Sequence, residues 1–278
     1  MHPRSALLLP PRRLAGCIFA AIVRDTRGVS LRDEERFNHF PASPLVAVTT
    51  ILQGDLKSVP SGATLEVARK ADTQPRQSIF PAQDTPITSW SPGPVAAVTV
   101  GFFPEAWEKL QDKIPSHALP EMLCQAFPQS TDGEEFKDRW VDFCDILLPI
   151  WAQTRASHGL ADWSGSRNLT DWTRSVLARA ALAGPGRSMR AVERRLKRWS
   201  SQSRRSLKFY SDIDKLHRLA TKTTDAPLAA LASDAGYSDQ SHMGRAVRRA
   251  TGFSPAHLNR LIDTEEAFWC YRLLGERF

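Results

Sequence analysis

The sequence predicts an α+β protein with a β-rich N-terminal domain, a helical middle region and an all-α C-terminal domain. Three observations lead to this expectation. Short β-rich runs separated by proline and glycine dominate the first hundred residues. Apolar residues then recur at helical spacing, and the last third of the chain is basic and contains two similar pairs of helices. At 278 residues the chain is longer than a typical single domain, which favours two domains.

The composition indicates a globular protein, with 42% apolar and 24% charged residues. The cysteines form no CxxC pair and the seven histidines are dispersed, so neither a zinc site nor a disulfide framework is indicated, and a reducing cytoplasm is expected. The four cysteines are Cys17, Cys124, Cys144 and Cys270. The N-terminus resembles a signal peptide only superficially, because Pro10-Pro11 and Arg12-Arg13 interrupt its apolar run. The apolar residues from Leu14 onward are too few to cross a membrane and predict a strand ending at Arg24.

Several further strands are expected in the N-terminal domain, which reads as a small sandwich or barrel. The β-rich runs are Leu45 to Gly54, Thr64 to Ala68, and Val95 to Phe103. In the last run larger apolar side chains alternate with smaller ones, which predicts one buried face. The larger residues are Val98, Val100 and Phe102, and the smaller ones are Ala97, Thr99 and Gly101.

The middle region changes to helical periodicity after Phe103. A first helix is expected to begin at Pro104, since proline is favoured in the first helical turn. A second amphipathic helix is expected from Glu134 to Trp151. The small, polar stretch from Ala156 to Asn168 is the best candidate for a domain boundary.

The basic charge belongs to the C-terminal third. Residues 184–262 contain 16 Lys and Arg against 6 Asp and Glu, a net +10, whereas the whole chain carries +7 and the remainder therefore −3. Such a charge excess is often only a solvated surface, so charge alone leaves nucleic-acid binding and a solvated face as alternatives.

The first helical pair starts near Thr170, which is expected to cap a helix that stops at Gly184-Pro185-Gly186. A second helix is expected to begin after Ser188. Its inward residues fall at helical spacing and leave the arginines outside. They are Val192, Leu196 and Trp199. A helix, a glycine-containing turn and a second, arginine-rich helix are typical of a helix-turn-helix unit.

The second pair repeats this arrangement. Pro227 opens a helix, Gly236 occupies the turn, and Ser238 is expected to cap the next helix. The core face of that helix consists of Met243, Ala246, Val247 and Ala250. Short polar residues and a cation remain exposed at its start, as a helix that enters the DNA major groove requires. Gly252 is expected to end this helix, and Ser254-Pro255 to start another that ends near Ile262.

The stretch AGYSDQSHMGRAVRRATGFSPAHLNR resembles the signature of the AraC family of bacterial transcription regulators over about 26 continuous positions. SMRAVERRLKRW resembles the first recognition helix of that family, and LKFYSDIDKLHRLA resembles the helix that joins its two units. More weakly, FPAQDTPITSWSPGPVAAVTVGFFPEAW is similar to the sensor half of some of its members. At Gly244 this chain departs from the family, because no side chain is available there.

The resemblance implies a division of the chain into three parts. Residues 1–165 form a β-rich sensor or dimerisation domain whose helical part covers 104–155. Residues 166–262 form an AraC-type DNA-binding domain with units at 170–200 and 226–252, joined by a helix over 206–220. Residues 263–278 form a C-terminal helix that is expected to pack on the body of the protein.

The resemblance also implies which residues contact DNA. The expected base-reading residues are Gln240, Ser241, His242 and Arg245 in the second unit, and Arg190, Glu193 and Arg194 in the first. The candidates for phosphate contacts are Arg248, Arg249, Lys197 and Arg198. As alternatives, Glu193 and Arg194 pair with neighbours on their own helix, and His242 is a packed or solvated histidine.

The expected partners are double-stranded DNA, a small effector bound by the N-terminal domain, RNA polymerase and a second copy of the chain. No cofactor, metal, membrane partner or enzymatic activity is expected, since the sequence has no glycine-rich phosphate loop, HExxH or GxSxG motif. Two alternatives stay open. The N-terminal domain is purely structural or dimer-forming, or the whole chain is an adaptor whose DNA-binding domain is degenerate.

Overall fold

The computed structural model of the chain describes residues 2–157, 168–183, 188–222 and 227–275. Its eight strands are β1 (Arg4–Leu8), β2 (Ile18–Asp25), β3 (Phe37–Phe40), β4 (Val46–Gln53), β5 (Lys57–Val59), β6 (Gln77–Phe80), β7 (Ile87–Trp90) and β8 (Ala96–Phe102). They form two antiparallel sheets in the orders β1-β2-β8-β4-β6 and β3-β7-β5. Helices follow these strands and fill the C-terminal part, so the predicted fold class is confirmed.

The described helices include α1 (Leu65–Lys70), α2 (Pro104–Gln111), α3 (Ala118–Ala126), α4 (Phe136–Ser157), α5 (Leu169–Leu182) and α6 (Met189–Ser200). The remaining ones are α7 (Arg204–Ala220), α8 (Leu228–Ala235), α9 (Gln240–Thr251), α10 (Pro255–Thr264) and α11 (Trp269–Leu274). None of them is both long and apolar enough to cross a membrane, as far as the described residues show.

Strand β8 lies at the centre of the larger sheet, paired antiparallel with β2 and β4. Its predicted buried face is confirmed, because Val98, Val100 and Phe102 have no exposed surface. On the face with the smaller side chains, Thr99 and Gly101 are half-buried, but Ala97 is buried as well. A central strand covered on both sides leaves little of either face to solvent.

Two predicted strands are wrong in whole or in part. The run from Thr64 to Ala68 is helical, because Thr64 caps α1 by accepting a hydrogen bond from the backbone N–H of Val67. An ion pair between Glu66 and Lys70, one turn apart, also supports this helix. The strand expected to start at Leu14 starts only at Ile18, after a 3₁₀ turn over Arg12–Leu14.

The middle helices follow the predicted periodicity. Helix α2 begins at Pro104 as expected. Helix α4 extends beyond the predicted end at Trp151 to Ser157 and buries its aromatic stripe against the rest of the domain. Its buried side chains are Phe136, Trp140, Phe143, Cys144, Leu147, Trp151 and Thr154.

The N-terminal and C-terminal parts share their hydrophobic cores. Trp172 of α5 packs 5.6 Å from the ring of Phe103, which follows β8. Met243 of α9 lies in one cluster with Phe37 and Trp90 of the smaller sheet. Because both cores cross from sheet to helices, the helical part is docked on the β-rich part rather than tethered beside it.

The caps of two C-terminal helices differ from the prediction. Helix α5 is capped by Asn168, whose side-chain oxygen accepts the N–H of Asp171 at 2.8 Å. Thr170 lies inside the helix and its hydroxyl donates instead to Asp214 of α7, at 2.5 Å. Helix α7 begins at Arg204, two residues before the predicted start of the joining helix. The expected stop at Gly184-Pro185-Gly186 and most of the expected boundary from Ala156 to Asn168 lie outside the described residues.

The C-terminal segment does not form one final helix. Helix α10 continues to Thr264, a 3₁₀ turn covers Glu266–Phe268, and α11 follows. The segment packs on the β-rich part, as expected, with the indole N–H of Trp269 donating to Asn38 of β3 at 2.8 Å.

Candidate DNA-binding surface

Helices α8 and α9 form a helix-turn-helix unit around the glycine predicted for the turn. Gly236 has φ +91°, a left-handed conformation that an L side chain would strain. Leu231 and Ala232 of α8 pack in the same cluster as Met243 and Val247 of α9, and the last three have no exposed surface. The core face predicted for α9 is therefore confirmed at Met243, Val247 and Ala250, whereas Ala246 is only half-buried.

The cap of α9 is Asp239 and not the predicted Ser238. The Asp239 carboxylate accepts the backbone N–H of His242 at 2.6 Å, and this hydrogen bond lowers the pKa of the carboxyl. The Ser238 hydroxyl instead donates to Asp239 at 3.2 Å. An aspartate here also interacts favourably with the positive end of the helix dipole, which a serine cannot do.

The first two turns of α9 expose the four side chains expected to read bases. Gln240, Ser241, His242 and Arg245 are all exposed, whereas Met243 between them is fully buried. The His242 ring is not wholly free, because it packs edge-on against Tyr237 at 5.2 Å. Polar groups and a cation therefore line one surface at the N-terminal end of the helix.

The end of α9 shows one contact that the sequence did not indicate. Arg248 and Arg249 are both exposed. Arg249, however, forms an ion pair at 2.7 Å with Asp84, which precedes β7, and its guanidinium lies 4.4 Å from the centre of the Phe209 ring. One predicted phosphate contact is thus engaged by a carboxylate of the N-terminal part.

Helices α5 and α6 form the first unit. Helix α6 begins directly after Ser188 as predicted, and the Ser188 hydroxyl caps it by accepting the N–H of Ala191 at 3.3 Å. Leu196 is fully buried, while Val192 and Trp199 are only half-buried. Four candidate cations of α6 are exposed to solvent. They are Arg190, Arg194, Lys197 and Arg198.

Glu193 differs from the other candidates of α6. Its carboxylate accepts the backbone N–H of Arg204 at 3.4 Å and lies 4.0 Å from the Arg204 side chain. Arg204 is the first residue of α7, so the carboxylate sits at the positive end of that helix. This contact supports the alternative that Glu193 pairs with a neighbour, although the partner lies on the next helix and not on its own.

The family comparison decides what these two units are. Residues 182–260 match the family model described as "Helix-turn-helix domain". They form an AraC-type helix-turn-helix domain. Such a domain is a DNA-binding module of transcription regulators. The match covers α6, the joining helix α7 and the second unit, but it includes only the last residue of α5.

Similar solved structures come from Vibrio cholerae. An apo variant of ToxT from strain SCE256 is 10% identical, covers 85% of this chain and 96% of its own, and gives a TM-score of 0.39. The unsaturated fatty acid bound wild-type ToxT of that strain is 10% identical, covers 87% and 96%, and gives 0.37. No curated protein matches the chain.

Outside the AraC-type domain, a small cavity of about 30 Å³ lies between the two sheets. It is lined by Ile22, Arg24, Asn38, Phe40, Leu56, Ser89, Val95, Ala97, Thr99 and Trp269. A cavity of this volume has room for water but not for a drug-sized ligand.

Arg24 supplies the charge of this cavity and is almost fully buried. Its guanidinium donates to Glu266 at 2.8 Å and to Ser5 at 3.0 Å, and it lies 4.9 Å from the centre of the Trp269 ring. Its Nε has no hydrogen-bond partner among the described residues. Burial lowers the pKa of Arg24, and the pair with Glu266 opposes that effect. Arg24 therefore places a paired cation beside the cavity, and one of its buried N–H donors has no partner among the described residues.

Proposed function

We propose that this chain is a sequence-specific DNA-binding transcription regulator that inserts α6 and α9 into successive major grooves. The observation that carries the proposal is the N-terminal half of α9, where Gln240, Ser241, His242 and Arg245 are exposed while Met243 and Val247 are fully buried. Base edges are read from the start of a recognition helix, so these side chains are available where they are needed. The matched helix-turn-helix domain supports the same conclusion.

Different residues carry affinity and specificity in this proposal. Arg248, Arg249, Lys197 and Arg198 neutralise phosphates and release counterions, which gives salt-dependent affinity for any sequence. Gln240 pairs with adenine and Arg245 with guanine, each good bidentate contact contributing roughly 1–3 kcal/mol of discrimination.

In the first unit Arg190 and Arg194 are the proposed base-reading side chains. Both are exposed on α6, and neither forms an ion pair among the described residues that would compete with DNA. Glu193 accepts from cytosine only if it leaves Arg204, so its contribution to specificity is expected to be smaller.

The joining helix sets the distance between the two units. Helix α7 has 17 residues and is therefore about 25 Å long at ~1.5 Å per residue. Successive major-groove faces of straight DNA lie roughly 34 Å apart. Both recognition helices reach one face of the DNA if the distances from α7 to each of them make up the remaining separation, or if the DNA bends.

The N-terminal domain, residues 1–165, is proposed to bind a small effector that controls the DNA-binding domain at 166–262. The buried cation and spare donor of Arg24 favour an effector bound between the two sheets. Because the cavity is too small for a drug-sized ligand, binding requires Trp269 or other lining residues to move. RNA polymerase and a second copy of the chain are proposed as further partners.

The test is DNA binding by purified protein, measured by fluorescence anisotropy at two salt concentrations. The probes are a duplex from the upstream region of its own gene and a scrambled duplex of equal length. Preference for the native duplex that survives added salt supports base readout. Equal, steeply salt-sensitive binding to both contradicts sequence-specific recognition, and no binding to either supports the alternative of an adaptor with a degenerate domain.

A further inference from the structure

Two segments of the β-rich part reach the C-terminal end of the second recognition helix. Residues 42–43 and 83–84 are joined to each other by two backbone hydrogen bonds between Ser43 and Gln83, of 3.0 and 2.9 Å. These four residues, which we name the α9 clamp, lie just after β3 and just before β7. They are therefore a direct extension of the smaller sheet.

The clamp holds the end of α9 through main-chain contacts. The N–H of Ala42 donates to the carbonyl of Ala250 at 2.7 Å, which satisfies one of the carbonyl groups that a helix end leaves open. The hydroxyl of Tyr210 on α7 donates to the carbonyl of Gln83 at 2.9 Å. The clamp thus touches both the recognition helix and the joining helix.

The fourth clamp residue binds the side chain that DNA would need. The Asp84 carboxylate accepts from the Arg249 guanidinium at 2.7 Å. A carboxylate and a phosphate are alternative partners for a guanidinium, because both present paired anionic oxygens at the same spacing.

We propose that Asp84 occupies Arg249 in place of a DNA phosphate, so that the clamp weakens DNA binding until the pair opens. The proposal rests on the DNA-binding function proposed above. The pair is exposed, with 38% of the Arg249 and 56% of the Asp84 side chain accessible, so it is weak enough for a phosphate to displace it. The charge division of the chain fits this role, since an acidic N-terminal part faces a basic DNA-binding domain.

The test compares two variants that lose the same charge. Asp84→Asn is expected to bind duplex DNA about two- to fivefold more tightly than wild type at low salt, with a smaller gain at high salt. Asp142→Asn on α4 is the matched control. Asp142 also pairs with an arginine, Arg139, and the two pairs have the same exposed fractions. The Asp142→Asn variant is expected to bind DNA with the same affinity as wild type.

A second comparison shows whether Asp84 acts through Arg249. In an Arg249→Ala background, Asp84→Asn is expected to have no further effect on affinity. Tightening of equal size in that background would mean general repulsion of DNA, and would overturn the proposal. So would an Asp84→Asn variant that binds no more tightly than the Asp142→Asn control.

The outcomes separate this proposal from the proposed function. Equal binding of wild type to the native and scrambled duplexes contradicts sequence-specific recognition, yet an Arg249-dependent gain for Asp84→Asn on both duplexes still supports the clamp. Sequence preference in wild type without that gain overturns only the clamp. Absence of DNA binding by every variant overturns both.

Discussion

Gly244 offers a direct test of how α9 is built. It lies in the middle of the helix, and a Cβ added there would meet no atom within 4 Å. Glycine in a helix interior is less favourable than alanine by roughly 0.8–1.0 kcal/mol, because it loses more backbone entropy on folding. Since nothing must move to accept the methyl group, Gly244→Ala is expected to stabilise the protein by about 0.5–1 kcal/mol.

Gly252 provides the opposite case at the end of the same helix. Its φ is +87°, and a Cβ there would lie 3.2 Å from the hydroxyl of Ser61. The left-handed conformation alone costs an L residue roughly 1–2 kcal/mol. Gly252→Ala is therefore expected to destabilise the protein by at least about 1 kcal/mol, although the substitution itself is identical.

The assay is thermal unfolding followed by circular dichroism, with wild type and both variants at one protein concentration. For a protein of this size 1 kcal/mol corresponds to about 2–4 °C in Tm. The expected order of Tm is Gly244→Ala highest, wild type next and Gly252→Ala lowest. If Gly244→Ala unfolds at a lower temperature than wild type, the conclusion that a methyl group fits at residue 244 is refuted. If both variants have the same Tm, the conclusion that the two glycines differ in backbone conformation is refuted.

Three further predictions follow from the other contacts. Arg245→Ala is expected to reduce the preference for the native over the scrambled duplex by roughly 1–3 kcal/mol. Lys197→Ala is expected to weaken binding to both duplexes alike and to lower the slope of log affinity against log salt concentration by about one. Anisotropy titrations over a series of salt concentrations distinguish the two effects. Burial lowers the pKa of His39 to about 4, so the neutral ring is favoured in the folded state and stability is lost as pH falls from about 6.5 towards 4. The urea midpoint of unfolding should therefore fall less between pH 7 and pH 5 in His39→Gln than in wild type. An equal fall in both proteins would contradict this prediction. Arg179→Gln leaves the buried carboxylate of Glu105, whose pKa burial already raises, without the ion pair at 2.6 Å. The expected cost of about 3 kcal/mol should shrink as pH falls and Glu105 takes up a proton, which the same urea titrations measure.

Much of the candidate site follows from local sequence patterns. The spacing of Met243, Val247 and Ala250 predicts the buried face of α9, and the exposed first turn then follows from helix geometry. Gly236 marks the turn because few other residues adopt its backbone conformation. The caps were less certain, since Ser238 and Asp239 are both good cap residues and only their backbone angles decide between them.

Local patterns fail where two conformations suit the same residues. Thr64 to Ala68 contains residues with β preference, but a threonine cap and an ion pair one turn apart favour the helix that forms. Propensity is a weak prior, and contacts within the folded protein override it.

The sequence by itself determined the fold class, the two helix-turn-helix units and the exposed face of α9, because periodicity, turn glycines and capping residues act over a few positions. Only the tertiary structure decided which distant groups meet. Asp84 and Arg249 are 165 positions apart, and Glu266 is 242 positions from Arg24. Such pairs form because two surfaces dock through a shared core, and no short stretch of sequence records which surfaces those are. The engagement of Arg249 and the burial of Arg24 are therefore properties of the docked domains and not of the motifs that contain them.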